Sequence, residues 1–234
     1  MPARFLDNFA VVLLDMGRTF MFDVDRFDGG FAETYAALGG RELDGEFVDR
    51  IMREAYRGMM SLYEDPAWEE RFPKVADYLA GMPETRGLSR REMKLLEQVF
   101  ARHEMGTIPA DSVLTLNTLR QRARLGLVSN IFSPSAAYRR LFRALKIHDL
   151  FDVIVFSSDF GWLKPSPRLY REAMKAFRVP PAKMVMVGDN PRRDVAGAKA
   201  LGLSAVYIDT GRRPADPRVP PDRTIRSLPE LLEE

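Results

Sequence analysis

The run from Phe9 to Leu14 (FAVVLL) is apolar without interruption and stops abruptly at Asp15. Four later stretches share its character: Leu125–Val128, Val153–Phe156, Met184–Val187 and Ala205–Ile208. A strand with one wet face alternates apolar and polar residues. Runs that do not alternate are covered on both faces, which predicts a parallel sheet between two helical layers. Helix starts are readable between the strands. Ser133-Pro134 and Ser166-Pro167 each put a hydroxyl at a predicted N-cap and proline at the first helical position, where its missing N–H costs nothing. Gly202 follows DVAGAKAL as a helix-ending glycine. Strand and helix alternate from about residue 105 onward, which is the pattern of a doubly wound α/β core.

Between the first two strands the pattern changes to helix alone. Asp44-Gly45-Glu46 opens one helix, whose apolar residues Phe47, Ile51, Ala55, Met59 and Leu62 recur at helical spacing. Ser89-Arg90-Arg91-Glu92 reads as a capping box, with Ser89 and Glu92 each satisfying a backbone N–H, and starts a helix running to about His103. Such an insertion cannot belong to the sheet. Residues 21–104 are therefore expected to form a separate all-helical lobe over one sheet edge, with 1–20 and 105–234 forming the α/β core. Ser227-LPELLEE predicts one last short helix.

Composition narrows the partners. The 234 residues, 46% hydrophobic and 29% charged, suit an ordinary globular protein with one full domain and a smaller one. Thirty-five Lys and Arg against 33 Asp and Glu leave a net charge of +2, which offers no basic stripe for nucleic acid. The absence of cysteine excludes disulfides, thiolate zinc sites and thiol catalysis together. FAVVLL is too short for a signal-peptide core, and no stretch approaches the roughly 18 apolar residues of a membrane span. A cytoplasmic location and no membrane partner are expected.

Functional groups of open α/β sheets gather at the carboxyl ends of strands. Asp15 follows VVLL, Ser129-Asn130 follow LGLV, and Gly188-Asp189 follow VMV. Lys164 stands in the loop after SSDFG, held by Pro165. Each alone reads as a turn or cap residue. Together they describe a phosphate site, with a carboxylate nucleophile, a hydroxyl donor, a cation and a second carboxylate for a metal.

Four segments in order, Asp15-Met-Gly-Arg-Thr19, Leu-Val-Ser129-Asn130, Gly161-Trp-Leu-Lys164-Pro165 and Gly188-Asp189-Asn-Pro-Arg-Arg-Asp194, resemble the four motifs of the haloacid dehalogenase superfamily. The helical insertion resembles that family's alpha-helical cap at its first insertion point. The resemblance implies a Rossmann-like core and a Mg²⁺-dependent phosphatase acting on a small phosphorylated metabolite. By it, Asp15 is the nucleophile and a metal ligand, beside the Gly17 carbonyl and Asp189, while Asp194 orients the metal shell or coordinates through water. Ser129, Asn130 and Lys164 bind the phosphate, and Ser129 and Lys164 also assist the chemistry. A dianionic ester repels a carboxylate nucleophile, and a divalent cation neutralises both.

One departure stands out. Most phosphatases of this family carry D-x-D in the first motif, the second aspartate serving as general acid and base. Here that position is Gly17. Loss of such a group typically costs about 10²- to 10⁴-fold in rate. Asp23 and Asp25 follow soon after and are either replacements or surface carboxylates. A 2-haloacid dehalogenase would need no metal and would lack the carboxylate-rich fourth motif. A phosphonatase would need a cap lysine, yet no lysine lies between Asp15 and Pro73, and Lys74 and Lys94 come late. A binding module that holds phosphate ligands without turnover is the reading from another class, motivated by Gly17. His103 and His148 read as helix-end residues and Trp68 as packing between cap helices; Trp162 borders Lys164. Arg53 and Arg57 lie four apart and either reach a substrate or form a solvated face.

Overall fold

A computed structural model describes residues 5–233. Its sheet has six parallel strands, β1 (Val11–Leu14), β2 (Arg124–Ser129), β3 (Phe151–Phe156), β4 (Met184–Gly188), β5 (Ser204–Ile208) and β6 (Arg223–Ile225), in the order β3-β2-β1-β4-β5-β6. The helices are α1 (Phe31–Ala37), α2 (Gly45–Glu64), α3 (Val75–Gly81), α4 (Arg90–Glu104), α5 (Ala110–Arg122), α6 (Ser135–Ala144), α7 (Ser157–Phe160), α8 (Pro167–Met174) and α9 (Gly197–Lys199). A wider, π-helical turn over Pro191–Ala196 leads into α9.

The unbroken apolar runs have the expected cause. Val12 and Leu14 pack on one side of the sheet with Leu116 and Leu119 of α5 and Phe142 of α6. Val11 and Leu13 pack on the other side with Leu169 and Ala173 of α8 and Ala198 of α9. Both faces are dry, so every residue of β1 contributes on the order of 1.5–3 kcal/mol of burial. β1 lies between β2 and β4, with Leu14 opposite Leu127 and Val187, so the ends of these three strands emerge side by side. β6 carries no apolar run and gave no signal; it is three residues long and pairs with β5.

Several local starts differ from expectation. Ser166 caps α8 as read, accepting from the Arg168 N–H, with Pro167 at the first position. Ser133 does not cap α6, which begins at Ser135 with Pro134 as the cap residue. The Ser133 N–H instead donates to Glu104 Oε2 at 2.8 Å, and this holds the segment off the helix axis. Ser89 accepts from the Glu92 N–H, but the reciprocal half of the box is missing. Glu92 is buried and accepts from the Tyr35 hydroxyl, a tertiary bond that outcompetes the local one. Gly202 does end its helix, at φ 77°. The C-terminal segment forms only a single 3-10 turn, Leu228–Leu231, fixed by the Glu230 carboxylate accepting from Arg226 N and Ser227 Oγ.

Residues 21–104 contain no named strand among the described residues. Asp44 caps α2, whose buried face is Val48, Ile51, Met52, Ala55 and Met59; Phe47 and Leu62 flank that face and are only partly buried. This face joins Phe31 of α1, Leu79 of α3 and Leu96 and Phe100 of α4 in one apolar cluster, which also takes in Phe132 and Leu163 from loops of the sheet domain. The lobe thus lies over the carboxyl ends of the strands, not beside a lateral strand. Its root is tied by paired backbone bonds between Phe22 and Thr107, each 2.8 Å.

Gly126 in β2 is a tight crossing. A Cβ there would sit 2.7 Å from Leu13 Cδ2 and 3.1 Å from the Phe177 ring. Gly126→Ala is expected to destabilise by about 1–3 kcal/mol through overpacking, read from urea denaturation; an unchanged midpoint would mean that the layer can yield.

Candidate active site

Asp15 is fixed by its own backbone, whose N–H donates to Val187 O at 2.9 Å and extends the β1–β4 ladder by one residue. Its Oδ1 accepts from Ser129 Oγ at 3.1 Å and from Lys164 Nζ at 2.6 Å. Lys164 Nζ also donates to Asp194 Oδ1 at 2.6 Å. Asp194 Oδ2 accepts from the Asn190 N–H at 2.9 Å. Gly188 makes this possible, because a Cβ at that position would lie 2.3 Å from Asp194 Oδ2. Asp15, Asp189 and Asp194 each offer one oxygen, and these atoms lie within 4.8 Å of one another.

Three carboxylates face the one ammonium bonded among them, an excess of two negative charges that Arg18 and Arg213 offset only in part at Asp189. Burial first, and then repulsion from Asp15 and Asp194, pushes the Asp189 carboxyl up. Burial also raises Asp194, although Lys164 opposes the shift. Lys164 itself is raised, because Asp15 and Asp194 more than offset the loss of solvation. Asp189 Oδ2 is buried with no hydrogen-bond partner. An oxygen-only donor set with a charge excess of two and a free buried oxygen suits a hard divalent cation.

Asn130 turns out to be occupied. Its Oδ1 accepts from the Lys164 N–H at 2.8 Å, and its Nδ2 donates to Lys164 O at 3.3 Å and Tyr63 Oη at 3.4 Å. It clamps the lysine loop, and its amide is not free for a substrate. Arg193 performs a matching task that the sequence pattern did not flag. Buried, it donates to Lys164 O at 2.6 Å and Tyr63 O at 2.5 Å, with its guanidinium 3.6 Å from the centre of the Tyr63 ring. The cavity over Asp15, about 270 Å³, is also lined by Gly17, Arg18, Asp25 and Glu104.

The segment after Asp15 holds three non-glycine residues in the left-handed region, Arg18, Asp23 and Asp25 at φ 58°, 54° and 60°. Strain of this kind persists only where the surroundings impose it. Asp25 pairs with Arg18 at 3.2 Å and donates its N–H to Glu104 O, and burial raises its carboxyl pKa. Asp23 instead accepts from Thr107 Oγ1 and does not line the cavity.

Glu104 ends α4, where a carboxylate opposes the helix dipole. That misfit was the available signal of a tertiary role. Its two oxygens accept from the N–H groups of Phe132 and Ser133 at 2.5 and 2.8 Å, joining the lobe to the loop after Ser129.

The remaining candidates lie elsewhere. Both His103 nitrogens are engaged, by Arg26 O and Thr34 Oγ1, within the lobe. His148 is paired with Asp149. Trp68 packs on the lobe's cluster, Trp162 stacks on Phe160, Arg53 pairs with Asp49, and Arg57 is exposed. Lys94 pairs with Glu97, and among the described residues Lys164 is the one lysine lining the cavity.

A buried carboxylate at the end of a central strand thus meets an ammonium and two further carboxylates carried by the neighbouring loops. The family model for haloacid dehalogenase-like hydrolases matches residues 18–202. The chain belongs to the haloacid dehalogenase-like hydrolase family. It is 30% identical to a phosphoserine phosphatase of Thermus thermophilus over 97% of this chain and 95% of that protein. A glyceraldehyde 3-phosphate phosphatase of Pyrococcus furiosus is 31% identical over half of each chain. Among solved structures, a 2-haloacid dehalogenase of Pseudomonas syringae superposes with a TM-score of 0.66 at 24% identity, covering 96% of this chain and 98% of that one. That last likeness shows the shared fold. No helix among the described residues is long and apolar enough to cross a membrane.

Burial lifts the Glu104 carboxyl from 4.5 to about 7 despite its two N–H donors. A raised folded-state pKa means that the folded protein holds the proton more tightly than the unfolded chain does. The resulting stability is complete below about pH 4.5 and is lost as pH rises through about 7, a change on the order of 3 kcal/mol. The stability difference between wild type and Glu104→Gln should therefore be larger at pH 5.5 than at pH 8 in paired urea melts. A difference independent of pH would assign the slope to other carboxyls.

Proposed function

We propose that this hydrolase is a Mg²⁺-dependent phosphomonoesterase that forms an aspartyl-phosphate on Asp15, with residues 1–20 and 105–234 as catalytic core and 21–104 as cap. The observation that carries the reading is the convergence of Asp15, Asp189 and Asp194 within 4.8 Å, with Lys164 and Ser129 both bonded to the Asp15 carboxylate. Asp15, Asp189, Asp194 and the Gly17 carbonyl would hold the metal. When bound it supplies charge neutralisation between the nucleophile and the phosphoryl oxygens.

The chain's own groups do the rest. An Asp15 oxygen attacks phosphorus while the ester oxygen departs, and water then cleaves the acyl-phosphate to release inorganic phosphate and restore the carboxylate. Lys164 stays protonated between Asp15 and Asp194 and offsets the charge building on the phosphoryl group. Ser129, whose one hydroxyl proton goes to Asp15 in the free protein, turns it to a phosphoryl oxygen when the ester binds. Asn130 and Arg193 position the Lys164 backbone. The phosphatases among its relatives support this class of substrate, and the absence of any lysine but Lys164 in the cavity gives phosphonate chemistry no Schiff-base partner.

Asp15→Asn tests the assignment. Phosphate release from p-nitrophenyl phosphate with Mg²⁺ should fall about 10³-fold or more with circular dichroism unchanged. Activity within tenfold of wild type would remove Asp15 as nucleophile. Gly17 favours one second reading, a module that binds phosphate ligands without turnover. Calorimetric phosphate binding by a wild type that releases none from any ester selects it.

The missing acid at Gly17 also predicts a leaving-group effect. Phenolate departs without a proton, whereas an alkoxide does not, so phosphorylation of the enzyme should depend steeply on leaving-group pKa. A Cβ at Gly17 meets only Val24 Cγ2, at an ordinary 3.9 Å, so the backbone there accepts a side chain's first carbon without a clash. Gly17→Asp should raise turnover of alkyl phosphates and flatten the dependence in a single-turnover leaving-group series. If wild type already cleaves alkyl and aryl esters alike, a cavity carboxyl such as Asp25 supplies the proton.

A further inference from the structure

Five cationic side chains line the cavity over Asp15, and three of them are committed within the fold. Lys164 bridges two carboxylates, Arg18 pairs with Asp25, and Arg193 is spent on backbone carbonyls and the Tyr63 ring. Arg212 and Arg213 differ. Among the described residues neither guanidinium has a hydrogen-bond or ion-pair partner, although both line the cavity.

Their position is built, not incidental. The Asp209 carboxylate accepts from the Gly211 N–H at 2.9 Å and turns the chain back after β5. The buried Tyr207 hydroxyl then donates to Arg213 O. Tyr207 stands opposite Gly188 in the β4–β5 register, and Arg213 and Asp189 line the same cavity. The Arg213 charge is felt at Asp189, and the Arg212 charge at Asp25 and Tyr56, across the cavity mouth.

The phosphoryl group to be transferred is already met by Ser129, Lys164 and the three-carboxylate site below. Two further guanidiniums exceed its needs, and their planar forks suit a carboxylate or a phosphate. We propose that Arg212 and Arg213 form a second anion subsite, and that the preferred ester carries, besides its phosphoryl group, a carboxylate or a second phosphate. The inference rests on the phosphomonoesterase reading. It also divides the relatives' substrates, since phosphoserine bears a carboxylate and glyceraldehyde 3-phosphate has no second anion.

The test compares matched esters with Mg²⁺ present: O-phosphoserine against O-phosphoethanolamine for the carboxylate, and propane-1,3-diol bisphosphate against propyl phosphate for the second phosphate. At least one anionic member should exceed its neutral counterpart in kcat/KM by tenfold or more, and the better pair names the group. In Arg212→Ala/Arg213→Ala that ratio should fall by roughly 10- to 100-fold, chiefly through KM, with Arg→Lys variants retaining part of it. Phosphate release from p-nitrophenyl phosphate with ratios near one, or a ratio that survives the double substitution, overturns the subsite alone. No release from any ester overturns the phosphomonoesterase reading and this inference with it.

Discussion

The contact on which the site depends is the pair of bonds from Lys164 to Asp15 and Asp194. A buried ammonium is costly unless its charge is matched, and a buried carboxylate likewise. Three backbone segments that are far apart in sequence meet there: the end of β1, the loop before α8 and the turn after β4. None can relax alone, because withdrawing any one leaves a charge without its partner. The Lys164 loop is locked from behind by Asn130 and Arg193, whose bonds go to its backbone and not to its ammonium. The head of the lysine is therefore positioned by its main chain, and its ammonium is free to donate to Asp15 and Asp194.

The same clamp reaches into the lobe. Arg193 donates to Tyr63 O near the end of α2 while Asn130 donates to the Tyr63 hydroxyl. On the other side, Glu104 at the end of α4 holds the segment after Ser129. Phe132 and Leu163 complete the join by entering the lobe's apolar cluster. Two polar latches thus flank an apolar contact, and Asp15 lies beneath. Asp15, Ser129, Lys164, Asp189 and Asp194 are all buried there, and burial strengthens each charge interaction among them.

What could be read beforehand followed from the range of the interactions. β1 and the other central strands were legible because burial on both faces leaves a continuous apolar run. The meeting of Asp15, Ser129 and Asp189 was legible because each follows an apolar run at a strand's carboxyl end, and Lys164 joins them from a loop. Ser133 misled because its local capping geometry matched, while the deciding bond comes from Glu104, 29 residues away. Glu92 misled in the same way, through Tyr35. Arg193 sits inside a recognised segment, yet its role is set by loops it meets only in three dimensions. Arg212 and Arg213 lie in a Pro- and Arg-rich loop whose pattern resembles any solvated surface. Short-range signals are encoded locally; tertiary bonds that override them are not.

Fold and chemistry separate at the first motif. A 2-haloacid dehalogenase and this chain share nearly their whole length in space, so the sheet and lobe do not decide the reaction. What distinguishes reactions on such a scaffold is which charges the strand ends present. Here β4 ends in Asp189 and, folded beneath it by the lack of a Cβ at Gly188, Asp194. That pair creates the charge excess Lys164 cannot balance. Gly17, by contrast, carries no side chain, although a Cβ there would meet Val24 only at ordinary van der Waals distance. Three carboxylates converge at the floor of the site, while the first motif offers no side chain at Gly17. The charged side chains that line the cavity beside Gly17 include Arg18, Asp25, Arg212 and Arg213.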